Sequence, residues 1–522
     1  IMFDILIKKG LVFDGLANKP QNLDLAIKDG KISQIGNLKN EKAKIEINAS
    51  EQYICPGFIE INSLADRDFS ILLKPKAENY LLQGVTTVIG GAGGASLYPL
   101  ISGSLESLNK WLNYRQINIK WQKLSDFFAI LEKRGLIVNF GSLISWATLR
   151  SDFTNREFRT LSKEEKEKLK FMVEESLKEG AMGIAFALGS EEERVVGIEE
   201  ILEIGEIVKK FKGYLGFSLR DETDGFLSSL REILEVAEKG KLPIEIYQLK
   251  VFGEDNYAYF KDALQLIKDI NEKEELVNFD TSPYETTILP LMSFLPDWAA
   301  VGGWSVFLKN IREEIIYQKL IQDLKKKKNL ISDLIITSSE NEPFFIGKDL
   351  KELAKNFNLT VEESLIKILE INNGRVFVFS KNLSPENVKT AVSSEFSFIS
   401  AESGFYDREE KCQSLIHPKS FDSFVKFLTE YSLKNKVLSL EEAIYKITGK
   451  VAKKIGLKNR GTIKENNWAD IVIISPEKLS SLASYKNPYL SPLGIETIII
   501  NGKIAYDKGI ISEEKAGKIM RR

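Results

Sequence analysis

The sequence predicts an α/β fold, a (β/α)₈ barrel that carries a small composite β-sandwich domain. Three observations lead there: a length of 522 residues, eight short apolar runs separated by amphipathic stretches, and two incomplete sets of β pattern at opposite chain ends. A barrel of about 250 residues with attachments fits this length, whereas a single ordinary domain of roughly 100–200 residues does not fill it. With 43% hydrophobic and 28% charged residues, the composition is that of a globular chain able to bury a large core.

The first fifty residues alternate in short extended runs over 4–13, 23–27 and 31–35, with Asp14-Gly15 and Asp29-Gly30 as turn chemistry between them. The last fifty echo this, with apolar strands over 470–474 and 495–504 and Asn501-Gly502 as a hairpin turn. A few isolated strands cannot bury a face alone, so the two sets are expected to complete one domain. Its first part spans 1–54, and its second lies with a helix in 441–522.

Between them, over 55–440, strands alternate with helices as in a TIM-like barrel. The eight strand candidates are 54–61, 85–90, 136–143, 183–188, 214–219, 244–249, 277–281 and 396–401. Helical stretches such as 163–179, 198–211 and 225–239 repeat apolar residues at three and four. The segment 289–387 holds an extra strand, 334–337, and further helices, and reads as an insertion over the barrel mouth. Chemistry in such barrels sits at the carboxyl ends of the strands, so the residues closing each run are the ones to examine.

Charge excludes some functions. A net charge of −2, from 72 basic and 74 acidic residues, gives no field to draw in nucleic acid or an anionic membrane. The lysine run 325–328 sits beside helical pattern and reads as a solvated face. No apolar run approaches the roughly 20 residues of a membrane span. Residues 1–10 lack a basic stretch followed by an apolar block, so a cytoplasmic address is expected. Cys55 and Cys412 are too few for a disulfide framework or a thiolate cage. The chain has one histidine, His417. Imidazole is the commonest transition-metal ligand and the usual neutral-pH base, so that count constrains every mechanism. His417, beside Pro418, is expected to be structural.

Several runs resemble the D-aminoacylase (N-acyl-D-amino-acid deacylase) branch of the amidohydrolase superfamily. Pro56-Gly57-Phe58-Ile59-Glu60-Ile61-Asn62-Ser63-Leu64 is similar to the family opening, PGFID followed by His-x-His, and Gln83-Gly84-Val85-Thr86-Thr87-Val88 matches QGVTTV. Gly90-Gly91-Ala92-Gly93 stands where Gly-Asn-Cys-Gly is found, Glu179-Gly180-Ala181-Met182-Gly183 resembles EGALG, and Arg220-Asp221-Glu222 resembles RDE. Ile246-Tyr247-Gln248-Leu249-Lys250 is similar to ISHLK, Pro283-Tyr284 to a Pro-Tyr pair, and His417-Pro418-Lys419 to HPR. Arg460-Gly461-Thr462-Ile463, Trp468-Ala469-Asp470-Ile471-Val472 and Asn501-Gly502 resemble the closing motifs, and the matches keep their order from about residue 4 to 506.

The resemblance implies a hydrolase of non-peptide carbon–nitrogen bonds, in which one or two divalent ions polarise an amide and activate water. Carried over position by position, the metal ligands fall on Asn62, Leu64, Ala92, Ser218 and Gln248, and the catalytic aspartate falls on Ser403 with Glu402 beside it. Leu64 and Ala92 have no donor atom, and Asn62, Ser218 and Gln248 are neutral oxygen donors that bind zinc weakly. Lys250 and Tyr284 match positions that would contact the substrate carboxylate, and Arg220 is a further cation at the same rim. The competing reading of Arg220 is a salt bridge with Asp221 or Glu222.

The expectation is a non-catalytic binder of a small carboxylate or acyl-amino-acid-like ligand, or of a protein partner such as a paralogue or a second copy, with no cofactor. The alternative is an active hydrolase with zinc or another divalent ion in an atypical site. Two other chemistries are open: a carboxylate site from Glu60, Asp66, Asp68, Glu222 and Glu402, and a serine–lysine pair of Ser218 or Ser403 with Lys250. The glycine run 90–94 lacks the lysine and spacing of a phosphate loop and reads as a barrel loop.

Overall fold

The computed structural model describes residues 2–100, 120–154, 159–190, 193–300, 303–408 and 414–522, so Cys412 lies outside the described residues. Eight parallel strands follow one another around a barrel: Phe58–Glu60, Val85–Gly90, Asn139–Ser142 continued by Ile144–Ser145, Gly183–Ala187, Tyr214–Ser218, Ile244–Ile246, Val277–Thr281 and Ser397–Ile399. They are called barrel strands 1 to 8 below. Side chains alternate along them with the period of two that a strand imposes. Ile244 and Ile246 join the large core under the helices, whereas Ile59, Ile61, Ile89, Ala185, Tyr214, Tyr247 and Phe398 form a separate interior cluster.

Two interruptions have local causes. The predicted run 54–61 is split, because Tyr53–Pro56 belongs to the sandwich sheet and only Phe58–Glu60 enters the barrel. Gly57 is the crossing point, and a Cβ there would lie 2.0 Å from Thr86 Oγ1. Strand 3 breaks at Leu143, whose amide bonds Gly90 O at 3.0 Å while Gly91, at φ 75°, lies against the Leu143 carbonyl. A Cβ at Gly91 would meet that oxygen at 2.0 Å, so this loop position accepts only glycine.

Among the described residues, strands 1 and 8 share no backbone ladder. The buried Glu60 side chain closes the gap. Its Oε1 accepts from Ser400 Oγ at 2.7 Å and from the Asn62 amide at 2.7 Å, and its Oε2 accepts from the Ala401 amide at 2.7 Å. The Leu64 amide then donates to Ser403 O at 2.9 Å.

The helices pack outward by amphipathic stripes. Phe226–Gly240, for example, buries Phe226, Leu230, Ile233, Leu234 and Ala237 on one face. Lys163–Lys178 starts on a capping box in which Ser162 Oγ accepts the Glu165 amide.

The chain ends form one nine-stranded sheet. Its central strand, Tyr53–Pro56, runs parallel to Phe3–Val12 and antiparallel to Ile471–Ile474, so neither end can complete the sheet without the other. The sheet encloses Ile5, Ile7, Ile27, Ile471, Ile473 and Ile499, while Val472, Ile498 and Ile500 join the barrel core. A buried network links the two domains. Arg460 pairs with Asp470, which also accepts from Asn139 of strand 3 at 3.0 Å and from the Asn501 amide at 2.8 Å.

After strand 7 the chain builds a three-stranded antiparallel sheet from Thr286–Pro290, Ile335–Ser339 and Val376–Lys381, with its own core that includes Leu291, Leu324 and Leu365. The helix Pro385–Ser393 returns to the barrel core through Val388, Ala391 and Val392. The last residues cross the foot of the barrel, where the Gly517 amide donates to Leu136 O at 2.8 Å and the Met520 amide to Phe140 O at 2.7 Å. Among the described residues no helix is long and apolar enough to cross a membrane.

Replacing Asp470 with alanine leaves Arg460 charged and buried without its counter-charge, still bonded to Asn501 Oδ1 at 2.6 Å, a change that costs about 3–5 kcal/mol. Urea denaturation followed by circular dichroism should show that loss in Asp470→Ala, and a loss below about 1 kcal/mol would mean that the network around Asp470 does not tie the domains together.

Candidate functional site

The carboxyl ends of the barrel strands meet in a polar cup whose floor is Asp280, on strand 7. Asp280 is fully buried. Asn62 Nδ2 reaches its two oxygens at 3.3 and 3.2 Å, and Gln248 Nε2 donates to Oδ1 at 2.5 Å. Burial pushes the Asp280 carboxyl up to about 8, and the nearby Glu402 and Glu60 charges push the same way. Burial likewise raises Glu60 to about 7, against the pull of its hydrogen bonds.

The rim carries paired charges. Lys250 Nζ lies 2.9 Å from Glu222 Oε1, and Lys419 Nζ lies 2.5 Å from Glu402 Oε2. Burial raises the Glu402 carboxyl, but Lys419 and then Lys250 outweigh it, so the group sits below its ordinary range. For Lys250, burial works against the charge, and Glu222 and Glu402 overcome it. Two rim residues hold left-handed backbone, Gln248 at φ 48° and Glu402 at φ 43°. Such conformations cost of order 1–3 kcal/mol in residues other than glycine and concentrate at functional sites.

The predicted residues divide. Asn62, Gln248, Lys250 and Glu402 converge on the cup. Ala92 is fully buried in the apolar barrel interior with Ile59, Ile89 and Leu143. Leu64 is half-buried above it, near Gly93. Ser218 ends strand 5, and its carbonyl accepts the Leu188 amide at 3.3 Å. Ser403 turns away from the cup, with Oγ donating to Gly404 O at 3.0 Å and its own carbonyl accepting from Tyr80 OH at 2.8 Å. In place of Ser403, the strand 8 tip therefore presents Glu402. Ser403 and Lys250 consequently make no serine–lysine pair.

Arg220 pairs neither with Asp221 nor with Glu222. Its guanidinium grips Glu232, twelve residues on, at 2.7 and 3.0 Å, and donates to the Arg194 and Val196 carbonyls at 2.9 Å. These contacts tie the Arg220 guanidinium to the helix Phe226–Gly240 and to the backbone at 194–196. Tyr284 lines the small cavity beside Lys250 and Gln248, packs edge-on against His417, and has a buried hydroxyl without a hydrogen-bond partner among the described residues.

Nor do the five carboxylates converge. Asp66 accepts the Gly91 amide at 2.9 Å, and Asp68 accepts the Ser70 amide at 3.0 Å. Among the described residues no three His, Cys, Asp or Glu side chains are grouped to hold a metal ion. One amide of the glycine run, that of Gly91, is thus spent on Asp66. His417 pins the insertion to the barrel: Nδ1 accepts the Lys419 amide at 3.0 Å, which leaves Nε2 to donate to Thr286 O at 2.8 Å. Burial holds its pKa well below the usual value, so the ring is neutral near pH 7.

Sequence reading missed Asp280. The available signal was an acid closing an apolar strand, Val277–Thr281, at the end where barrel chemistry sits.

No family model matches the chain. It is 24% identical to D-aminoacylase of Alcaligenes xylosoxydans xylosoxydans over 524 residues, covering 100% of this chain and 98% of that protein. N-acyl-D-aspartate deacylase of the same organism is 23% identical over 518 residues, covering 99% of this chain and 95% of that protein. Among solved structures, N-acyl-D-glutamate deacylase from Bordetella bronchiseptica, complexed with zinc and a phosphonate inhibitor, superposes with a TM-score of 0.82 at 20% identity over 100% of both chains. L-hydantoinase from Arthrobacter aurescens gives 0.58 at 12% identity, again over 100% of both. The fold is the barrel with a β-sandwich that these solved structures have. Along its whole length the chain is a homologue of the D-aminoacylases and N-acyl-D-amino-acid deacylases.

Asp280 makes stability depend on pH. Between about pH 4 and pH 8 the folded protein keeps a proton that an unfolded aspartate has released, so stability is highest below that window and falls as pH rises through it. Denaturation midpoints of the wild type should therefore decline from pH 5 to pH 9, and Asp280→Asn should flatten the decline. An unchanged slope in the variant would show that Asp280 is ionised in the folded state at all these values.

Proposed function

We propose that this D-aminoacylase-like chain binds a small carboxylate-bearing ligand at the barrel mouth without metal-dependent hydrolysis. One observation carries the reading: Asn62 and Gln248, at two positions where the resemblance expects imidazole ligands, both spend their amide N–H groups on Asp280. Hydrogen-bond donors thus stand where a cation would neutralise that acid. Ala92, at the expected thiolate position, is packed among apolar side chains, and Leu64 has no donor atom. Zinc holds four nitrogen, sulfur or carboxylate ligands at about 2.0–2.3 Å, and this set does not fit it. Lys250 and Lys419, each paired with a glutamate, and the half-buried Arg67, whose charge acts on Glu402, are the cations at the mouth for which a ligand carboxylate would compete.

Protein purified without chelator should contain less than about one-tenth equivalent of zinc, since no preformed ligand set retains it. It should also fail to release amino acid from N-acyl-D-amino acids. A full equivalent of metal together with deacylase turnover abolished by chelator would replace this reading with that of an active carbon–nitrogen hydrolase.

A further inference from the structure

A second, larger cavity opens away from the barrel mouth, with a volume of about 740 Å³. Small-molecule sites measure about 300–1,000 Å³. It is bounded by the turn after barrel strand 7, by the helix Pro385–Ser393 and by the successive helices Lys419–Lys426 and Phe427–Lys434. None of Asn62, Gln248, Lys250, Asp280 or Glu402 lines it. Pro283, Pro385, Tyr431, Val437 and Tyr485 give it apolar and aromatic walls.

Lys426 stands in the same lining, half-buried. Its ammonium lies over the Tyr284 ring, 4.1 Å from the centroid, and has neither a hydrogen-bond acceptor nor an ion-pair partner among the described residues. The neighbouring charges explain why. Glu430, Asp422, Glu285 and Lys434 all act on Lys426. Glu285 is engaged by Lys381 at 2.8 Å, and Glu430 by Lys434 at 3.2 Å. Asp422 accepts from Ser481 Oγ at 2.7 Å and from the Ala483 amide at 2.9 Å, and burial pushes it up to about 7. Glu386 and Lys389, both exposed, complete the charged lining.

A ligand carboxylate that takes Lys426 therefore separates no existing ion pair. It also supplies the acceptor that a partly desolvated ammonium lacks. A second negative charge on the ligand would meet Glu285, Glu386 and Glu430 in the same lining, so one charge is the favoured number. The rings of Tyr431 and Tyr485 suit an aromatic body.

We propose that this cavity is a second ligand site, independent of the cup, which takes an aromatic monocarboxylate with its carboxylate on Lys426.

Isothermal titration calorimetry on the full chain tests it, with benzoate, phenylacetate and 2-naphthoate each set against its neutral carboxamide. At least one carboxylate should bind with a Kd of about 1 mM or below, and about tenfold or more tightly than its amide. Phthalate, with two charges, should bind more weakly than benzoate. Lys426→Met should weaken binding about tenfold or more, whereas Lys426→Arg should keep most of it and Lys250→Met should stay within about threefold of the wild type. Thermal unfolding reports whether the variants are folded, and Lys426→Gln serves if Lys426→Met is not. Equal binding of carboxylate and amide, or binding of no carboxylate, would overturn the inference. So would a loss at Lys250 as large as that at Lys426, which would place the carboxylate in the barrel mouth.

Discussion

One buried carboxylate holds the cup together. Strands 1 and 8 meet without a backbone ladder among the described residues, and Glu60 bridges them through Ser400, Ala401 and Asn62. The same bonds orient the two strand tips that matter most. Asn62 is directed onto Asp280, and Ser400 Oγ accepts the Glu402 amide at 2.9 Å. A barrel closes only if its last strand finds its first, and here the closure is made by a side chain whose bonds also set the geometry of the mouth.

Above that closure the cup keeps its electrostatics local. Two acids near the floor, Glu60 and Asp280, are buried and pushed toward neutrality, while Glu402 at the rim is kept ionised by Lys419, Lys250 and Arg67. The neighbouring cations decide the difference, because burial raises Glu402 as well. Where solvent is excluded the charged form is penalised, and where cations stand within reach it is favoured. A cup arranged in this way presents ion pairs at its opening and amide–acid hydrogen bonds at its base, a donor set suited to binding polar ligands.

Much of the fold was legible because it follows from periodicity. All eight strand runs are apolar segments bounded by turn chemistry, and each appears in the barrel near its expected position. The boundary at Gly57 was not legible. Residues 54–61 read as one strand, and only the close approach of Thr86 shows why the chain must change sheets there. Arg220 shows the same limit. Two acids adjoin it in sequence, yet its partner is Glu232, which the helix Phe226–Gly240 carries back beneath it.

The sequence by itself determined the barrel, the joining of the two chain ends into one sheet, and the residue types that stand at the ligand positions of the amidohydrolase resemblance. These depend on the order of side chains along the chain, which is local information. Only the tertiary structure decided that Asp280 is the floor, that Glu402 and not Ser403 faces the cup, and that every mouth lysine already has an acid. The reason is geometric. Hydrogen bonds and ion pairs extend about 3 Å, and whether two groups separated by hundreds of residues come that close depends on how strand tips are rotated, which spacing alone does not encode.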